Sequence, residues 1–122
     1  MKILKLIALG LMVVMMIVGG AFHFITPAVY DAMMPEFFPK LLANYAAGAV
    51  EILLGIGLII PKTRTKAAWG VLILMLIFFP LHIWDLFKEQ PAIGSKTAAI
   101  IRIPMQFVFI AWAYWLSRDD KQ

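Results

Sequence analysis

The sequence contains no cysteine, so disulfides, thiol redox chemistry, zinc–thiolate sites and iron–sulfur clusters are excluded within this chain. Charge is also scarce: Asp, Glu, Lys and Arg make up 15% of the residues, against about 25% in soluble domains. The net charge of +4 is small and not clustered, which argues against nucleic acid as a partner. Because there is no phosphate-binding glycine loop, nucleophile elbow or His-Glu-x-x-His motif, the sequence shows no hydrolytic machinery.

Hydrophobic residues, by contrast, are abundant. They make up 63% of the chain, compared with about 45–50% in soluble domains, and the mean hydropathy is +0.90. A length of 122 residues is short for more than one domain, but it suffices for four bilayer crossings at about 20 residues per helix. The composition therefore predicts a single integral membrane domain over residues 1–122, surrounded by the lipid bilayer.

Apolar segments with few charges alternate with short polar segments along the chain. Pro27 and Pro61 mark the ends of the first two apolar segments, since proline disfavours continued helix. The pattern predicts four transmembrane helices, at about residues 4–25, 41–60, 67–86 and 97–116. The connections are short, so we expect an all-α, antiparallel four-helix bundle.

The first segment has an alternative interpretation as a cleaved signal peptide. Lys2 and Lys5 would form its basic region, and Gly19 and Ala21 are small residues near a cleavage site. The apolar stretch is long for a signal peptide and the rest of the chain is equally hydrophobic, which favours a retained span.

The positive charges predict the orientation of the bundle. With four spans, both termini lie on one side, and that side carries seven positive residues: Lys2, Lys5, Lys62, Arg64, Lys66, Arg118 and Lys121. The opposite side carries three: Lys40, Lys88 and Lys96. The positive-inside rule therefore predicts cytoplasmic termini and outward-facing loops at 26–40 and 87–96.

Polar side chains inside the spans or at their margins are the candidate site residues. They are His23, Asn44, Glu51, His82, Asp85, Arg102 and Gln106. A charge at mid-helix costs on the order of 2.5–3.5 kcal/mol on insertion scales, so such residues usually face protein or water. At a rise of about 1.5 Å per residue, His23 lies roughly 5 Å and Glu51 about 15 Å from the outer boundary. All of them lie in the outer half or near the midplane, which predicts one shared polar site.

The second span carries a stripe of small and polar residues. Asn44, Gly48, Glu51 and Gly55 recur at intervals of four, three and four residues, which places them on one helical face. Small residues allow another helix to approach closely. We therefore expect this face to point into the bundle.

Glu51 and Arg102 are predicted to form an ion pair near the midplane. The guanidinium would stabilise the buried carboxylate and present hydrogen-bond donors to a substrate or quinone carbonyl. Glu51 is the candidate proton carrier, since an unpaired buried carboxyl readily holds a proton. The alternative is a purely structural ion pair that fixes helix register.

Two prolines inside the later spans lie beside these polar residues. Pro80 and Pro104 each remove a backbone donor and release a carbonyl, at Leu76 and Ile100. In lipid, the released carbonyls need protein or water partners. Such kinked helices either open a small cavity or only shape the packing.

Metal or haem binding is a further interpretation of part of this set. His23, His82 and Asp85 have ligand types that suit transition metals, and the two histidines could ligate haem. Histidines at a membrane interface more often cap helices or meet water, so we predict no metal site. The eight methionines are dispersed and are interpreted as packing residues.

Several stretches of the sequence resemble the DoxX family of small four-span bacterial membrane proteins, over nearly the whole chain. The stretches are Gly20-Ala21-Phe22-His23-Phe24 with Pro27 and Tyr30, Met34 to Pro39, Gly48 to Gly55, Ala68-Trp69-Gly70, Phe79 to Ile83, and Arg102 to Phe107. The resemblance implies the bacterial inner membrane, a membrane or periplasmic redox partner, and a quinone pocket near Glu51, His82 and Arg102. Relatives with thiol chemistry need cysteine, which this chain lacks.

Three functions remain open from the sequence, and none of them settles whether the protein is an enzyme. The first is a redox-associated subunit that binds a quinone or a similar small apolar ligand. The second is a non-enzymatic scaffold or accessory subunit whose polar cluster is structural. The third, a conduit, is disfavoured because the cytoplasmic halves of the spans contain almost no polar residue. The glycine content permits a homo-oligomer.

Overall fold

The chain folds into four long helices. The computed structural model describes residues 2–28, 37, 39–87 and 96–118. Its helices are α1 (Ile3–Ile25), α2 (Lys40–Ile59), α3 (Arg64–Leu86) and α4 (Lys96–Ser117). The prediction of an all-α bundle is confirmed, and each predicted span agrees with one helix to within 3 residues at either end.

All four helices are long and apolar enough to cross a membrane. In an apolar 18-residue stretch of each helix, only 22–33% of the residues are buried inside the protein. Large apolar side chains such as Leu4, Leu53 and Ile73 face outward instead. An outward apolar surface of this extent is stable in lipid, where helices satisfy their own backbone hydrogen bonds. The chain is therefore a multi-pass membrane protein.

The helices associate as two pairs that follow the chain order. α1 packs mainly against α2 and α3 against α4, while α2 and α3 join the pairs and α1 touches α4 least. α2 and α4 lie diagonally across the bundle, and among the described residues no Cα atom of one helix comes within 8 Å of a Cα atom of the other. We call the end where α1 and α3 finish the loop end, and the opposite end the termini end.

Glycine lets α1 and α2 meet backbone to backbone. A Cβ atom placed on Gly20 would lie 2.7 Å from the Gly48 carbonyl oxygen, and one on Gly48 would lie 2.7 Å from the Gly20 carbonyl oxygen. The predicted inward stripe of the second span is confirmed, because Asn44, Gly48, Glu51 and Gly55 are all buried. This contact fixes the height of α1 relative to α2, and with it the positions of their polar residues.

An apolar core closes the termini end of the bundle. Residues from all four helices form it, among them Leu9, Met12, Leu58, Val71, Ala113 and Leu116. The Met12, Leu58, Val71 and Ala113 side chains are fully buried. This end of the bundle is therefore packed with buried apolar side chains.

Two side chains bridge α1 and α4, which otherwise touch little. Lys5 is buried and its Nζ donates to the Arg118 carbonyl oxygen at 3.0 Å. Trp112 donates its indole N–H to the Ala8 carbonyl oxygen at 3.1 Å. The Lys5 cation therefore meets the carbonyl end of α4, where the helix dipole favours positive charge.

Trp112→Phe is expected to lower the free energy of unfolding by about 1 kcal/mol, because it removes one hydrogen bond between weakly packed helices and retains most of the ring contact. Equilibrium unfolding in detergent micelles measures the change. Trp115→Phe is the matched control, since Trp115 is 40% exposed. Equal effects of the two substitutions would contradict a role for the Ala8 contact.

Candidate functional site

A cavity of about 390 Å³ lies between the two helix pairs, toward the loop end. Ten of its lining residues are apolar: Met15, Met16, Gly19, Ala43, Ala47, Met75, Ile77, Phe78, Leu81 and Phe109. The other four are polar and come one from each helix: His23, Glu51, His82 and Gln106. An apolar cavity of about 150 Å³ is enough to bind benzene. The space can therefore hold a substituted aromatic ring.

His23 is the charged partner of Glu51. The His23 Nε2 and Glu51 Oε2 atoms are 2.8 Å apart, and both side chains are about nine-tenths buried. The prediction that Glu51 forms an ion pair with Arg102 is wrong. Among the described residues, Glu51 is paired with His23. The reason is topological: Arg102 lies on α4, diagonally opposite α2, whereas α1 touches α2 directly through Gly20 and Gly48.

Asn44 sets the tautomer of His23. The Asn44 Nδ2 donates to the Pro27 carbonyl oxygen at 3.3 Å, and its Oδ1 lies 3.0 Å from His23 Nδ1. A carbonyl oxygen can only accept, so the amide nitrogen belongs on the Pro27 side and the amide oxygen on the His23 side. His23 Nδ1 therefore carries a hydrogen and donates it to Asn44.

One proton belongs to the contact between His23 and Glu51. With Nδ1 already protonated, Nε2 is either a second N–H group facing a carboxylate or a lone pair facing a carboxylic acid. Two lone pairs at 2.8 Å would repel each other, so an arrangement without that proton is excluded. The two atoms are close but not aligned as a linear hydrogen bond, so their attraction is mainly electrostatic. In either form the pair carries no net charge.

Gln106 binds the backbone of α3 beside its proline. The Gln106 Nε2 donates to the Met75 carbonyl oxygen at 2.7 Å and lies 3.6 Å from the Met75 sulfur. Met75 immediately precedes Leu76, whose carbonyl loses its helical partner at Pro80. Both helices continue through their prolines. Near Pro80, α3 thus receives a hydrogen bond from Gln106 of α4, and Met75 on this side of α3 also lines the cavity.

The remaining predicted site residues have different positions. His82 lines the cavity from α3, whereas Asn44 is fully buried behind His23. Arg102 is partly buried on α4 and lies outside the described lining. The Asp85 side chain lies outside the described part of the structure, and so does the interpretation of Asp85 as a metal ligand. Among the described side chains, no group of three His, Asp or Glu residues is placed to hold a metal ion.

Part of the cavity wall could not be recognised in the sequence. Met15, Met16 and Met75, interpreted as packing residues, line the cavity. The sequence marks this wall only by helical spacing: Met16 and Gly19 share a helical face with His23, and Phe109 follows Gln106 by three residues. Ala47 and Phe78 gave no signal.

Comparison with known proteins identifies one family. A family model described as a domain of unknown function, DUF8561, matches residues 12–117, a range that contains every candidate site residue. No curated protein and no solved structure gives a significant match. The resemblance to DoxX proteins therefore stays a prediction.

Proposed function

The chain belongs to the DUF8561 family, and we propose that it binds a quinone or a similar small apolar molecule in the cavity between its helices. The observation that supports this proposal is the lining itself: a mostly apolar space of about 390 Å³ that receives one polar side chain from each helix. Small-molecule sites are typically apolar pockets of about 300–1,000 Å³ with a few converging polar groups.

Glu51 and its partner His23 would handle the proton in this proposal. Their contact holds one proton next to the cavity, and Asn44 keeps the imidazole oriented. Because Arg102 lies outside the described lining, the contacts with the polar end of the ligand fall to His82 and Gln106. The electrons of a quinone reaction would come from a redox partner protein, in the membrane or the periplasm.

The proposed location is the bacterial inner membrane, with both termini in the cytoplasm. The DoxX resemblance supports the membrane type, and the positive residues at the termini end, such as Lys62 and Lys66, support the orientation. In that orientation the cavity lies in the periplasmic half. An apolar ligand could then reach it from the lipid.

Ala47→Phe is expected to reduce the binding of a short-chain benzoquinone at least tenfold while the protein remains folded. Ala47 lines the cavity and is half-buried, so a phenyl ring at this position occupies the ligand's space. Equilibrium dialysis of the quinone against the protein in detergent measures the loss. Leu53→Phe is the control, because Leu53 is 66% exposed and faces lipid.

Equal quinone binding by the wild type, Ala47→Phe and Leu53→Phe would overturn the proposal. Binding that is lost only in Ala47→Phe supports it. Native mass spectrometry of the purified protein adds an independent check, since a resident ligand should be retained by the wild type and missing from Ala47→Phe.

The second candidate is a scaffold or accessory subunit, for which the glycine content permits a homo-oligomer. It is favoured by one observation: His23, Asn44 and Glu51 connect α1 to the α2 side through contacts that need no ligand. In a scaffold, no quinone binds and no small molecule copurifies. A conduit is opposed by the apolar core at the termini end.

A further inference from the structure

We infer that the cavity selects a ligand that donates a hydrogen bond, such as an apolar alcohol, phenol or hydroquinone, over one that only accepts. This inference rests on the proposed function, because it specifies the chemistry of the same cavity. It follows from an account of which polar atoms of the lining are already engaged and which remain for a ligand.

Glu51 presents an acceptor to the cavity. The single proton of the His23–Glu51 contact is bound either to Nε2 or to Oε2, so the second carboxylate oxygen, Oε1, carries none. Oε1 lies toward Gly19, where an added Cβ would be 3.6 Å away. Gly19 itself lines the cavity and has no side chain to cover that oxygen. A ligand beside Gly19 therefore meets a hydrogen-bond acceptor.

Gln106 also presents an acceptor. Its amide nitrogen has two hydrogens, and the Met75 carbonyl oxygen and sulfur lie within 2.7 and 3.6 Å of that nitrogen. The amide group is thereby held with its nitrogen toward α3. The amide oxygen, which can only accept, is the atom left for a ligand.

His23 adds no donor for a ligand. Its Nδ1 hydrogen is donated to Asn44, and its Nε2 is engaged with Glu51. His82 lines the same cavity and an imidazole can donate or accept, so its contribution is measured separately with His82→Phe. From α1, α2 and α4, the lining thus offers two acceptors.

A ligand with carbonyl or ether oxygens alone would place its lone pairs against these acceptors. A hydroxyl group would instead donate to the carboxylate or to the amide oxygen, and hydrogen bonds to charged groups are the stronger kind. For a quinone, these two acceptors favour the hydroquinone form, whose hydroxyls donate, over the quinone form, whose carbonyls only accept.

The test compares 2-naphthol with 2-methoxynaphthalene, which have the same ring system but differ in the hydroxyl hydrogen. Titration of both into the wild-type protein in detergent should show naphthol binding about tenfold more tightly or better. Ala47→Phe in the same micelles corrects for partitioning into detergent, and it should remove the specific binding of both compounds. In Gln106→Leu and Glu51→Gln, the preference for naphthol should shrink.

The outcomes separate the two proposals. Equal affinity of the wild type for both compounds, with binding lost in Ala47→Phe, overturns the donor preference and leaves the cavity as a binding site. Binding of neither compound above the Ala47→Phe level overturns both. If Gln106→Leu does not fold, the wild-type ratio and its change in Glu51→Gln decide. A preference that disappears only in His82→Phe would assign the selection to His82 and overturn the account given for Glu51 and Gln106.

Discussion

His23→Leu is expected to lower the free energy of unfolding by about 3 kcal/mol, because removing one partner of a buried pair leaves the other without compensation. Glu51 would keep a buried carboxyl beside an apolar side chain, and the Asn44 Oδ1 would lose the imidazole hydrogen that it accepts. Unfolding of the purified protein by dodecyl sulfate in mixed micelles measures the change.

The double variant His23→Leu/Glu51→Leu makes this prediction specific. Replacing both members of a buried pair by apolar residues is often neutral, so the double variant should be more stable than His23→Leu alone. Phe22→Leu is the matched control on α1, since Phe22 is the preceding residue and 45% exposed. Strictly additive effects of the two Leu substitutions would show that the His23–Glu51 contact contributes nothing.

Gly48→Ala is expected to lower the free energy of unfolding by about 2–3 kcal/mol through overpacking. The added methyl group would lie 2.7 Å from the Gly20 carbonyl oxygen and 2.9 Å from His23 Cβ. The carbonyl belongs to the α1 backbone and cannot rotate away, so α1 and α2 must separate. Separation would also pull His23 away from Glu51, and we expect weaker ligand binding along with lower stability.

Gly10→Ala provides the control for this second substitution. Gly10 lies in the same membrane segment as Gly20, but a Cβ at Gly10 would meet no atom within 4 Å. The free energy of unfolding of the Gly10→Ala variant should stay unchanged or rise slightly, because alanine is a better helix former than glycine. The same dodecyl sulfate titration compares the two variants. A Gly48→Ala protein as stable as Gly10→Ala would show that the α1–α2 contact can widen freely.

The candidate site could be located from the sequence, but its contacts could not. Depth along a helix follows from residue number and the rise per residue, and it placed His23 roughly 10 Å nearer the boundary than Glu51. The two side chains nevertheless touch. Side chains lean toward the N-terminus of their helix, and α1 and α2 run in opposite directions. His23 therefore leans toward the termini end and Glu51 toward the loop end, and the estimated gap closes.

The sequence by itself determined the four spans and the inward face of α2, because hydrophobicity and helical periodicity act locally and the lipid tolerates few alternatives. Only the tertiary structure decided that Glu51 faces His23 and that Arg102 lies on the diagonal helix. It also revealed the cavity, whose wall uses Ala47, Met75 and other residues that no polar pattern marks. The packing of α1 against α2 depends on the close backbone approach at Gly20 and Gly48. This approach requires the surfaces of both helices to fit each other, so neither segment of the sequence shows it alone.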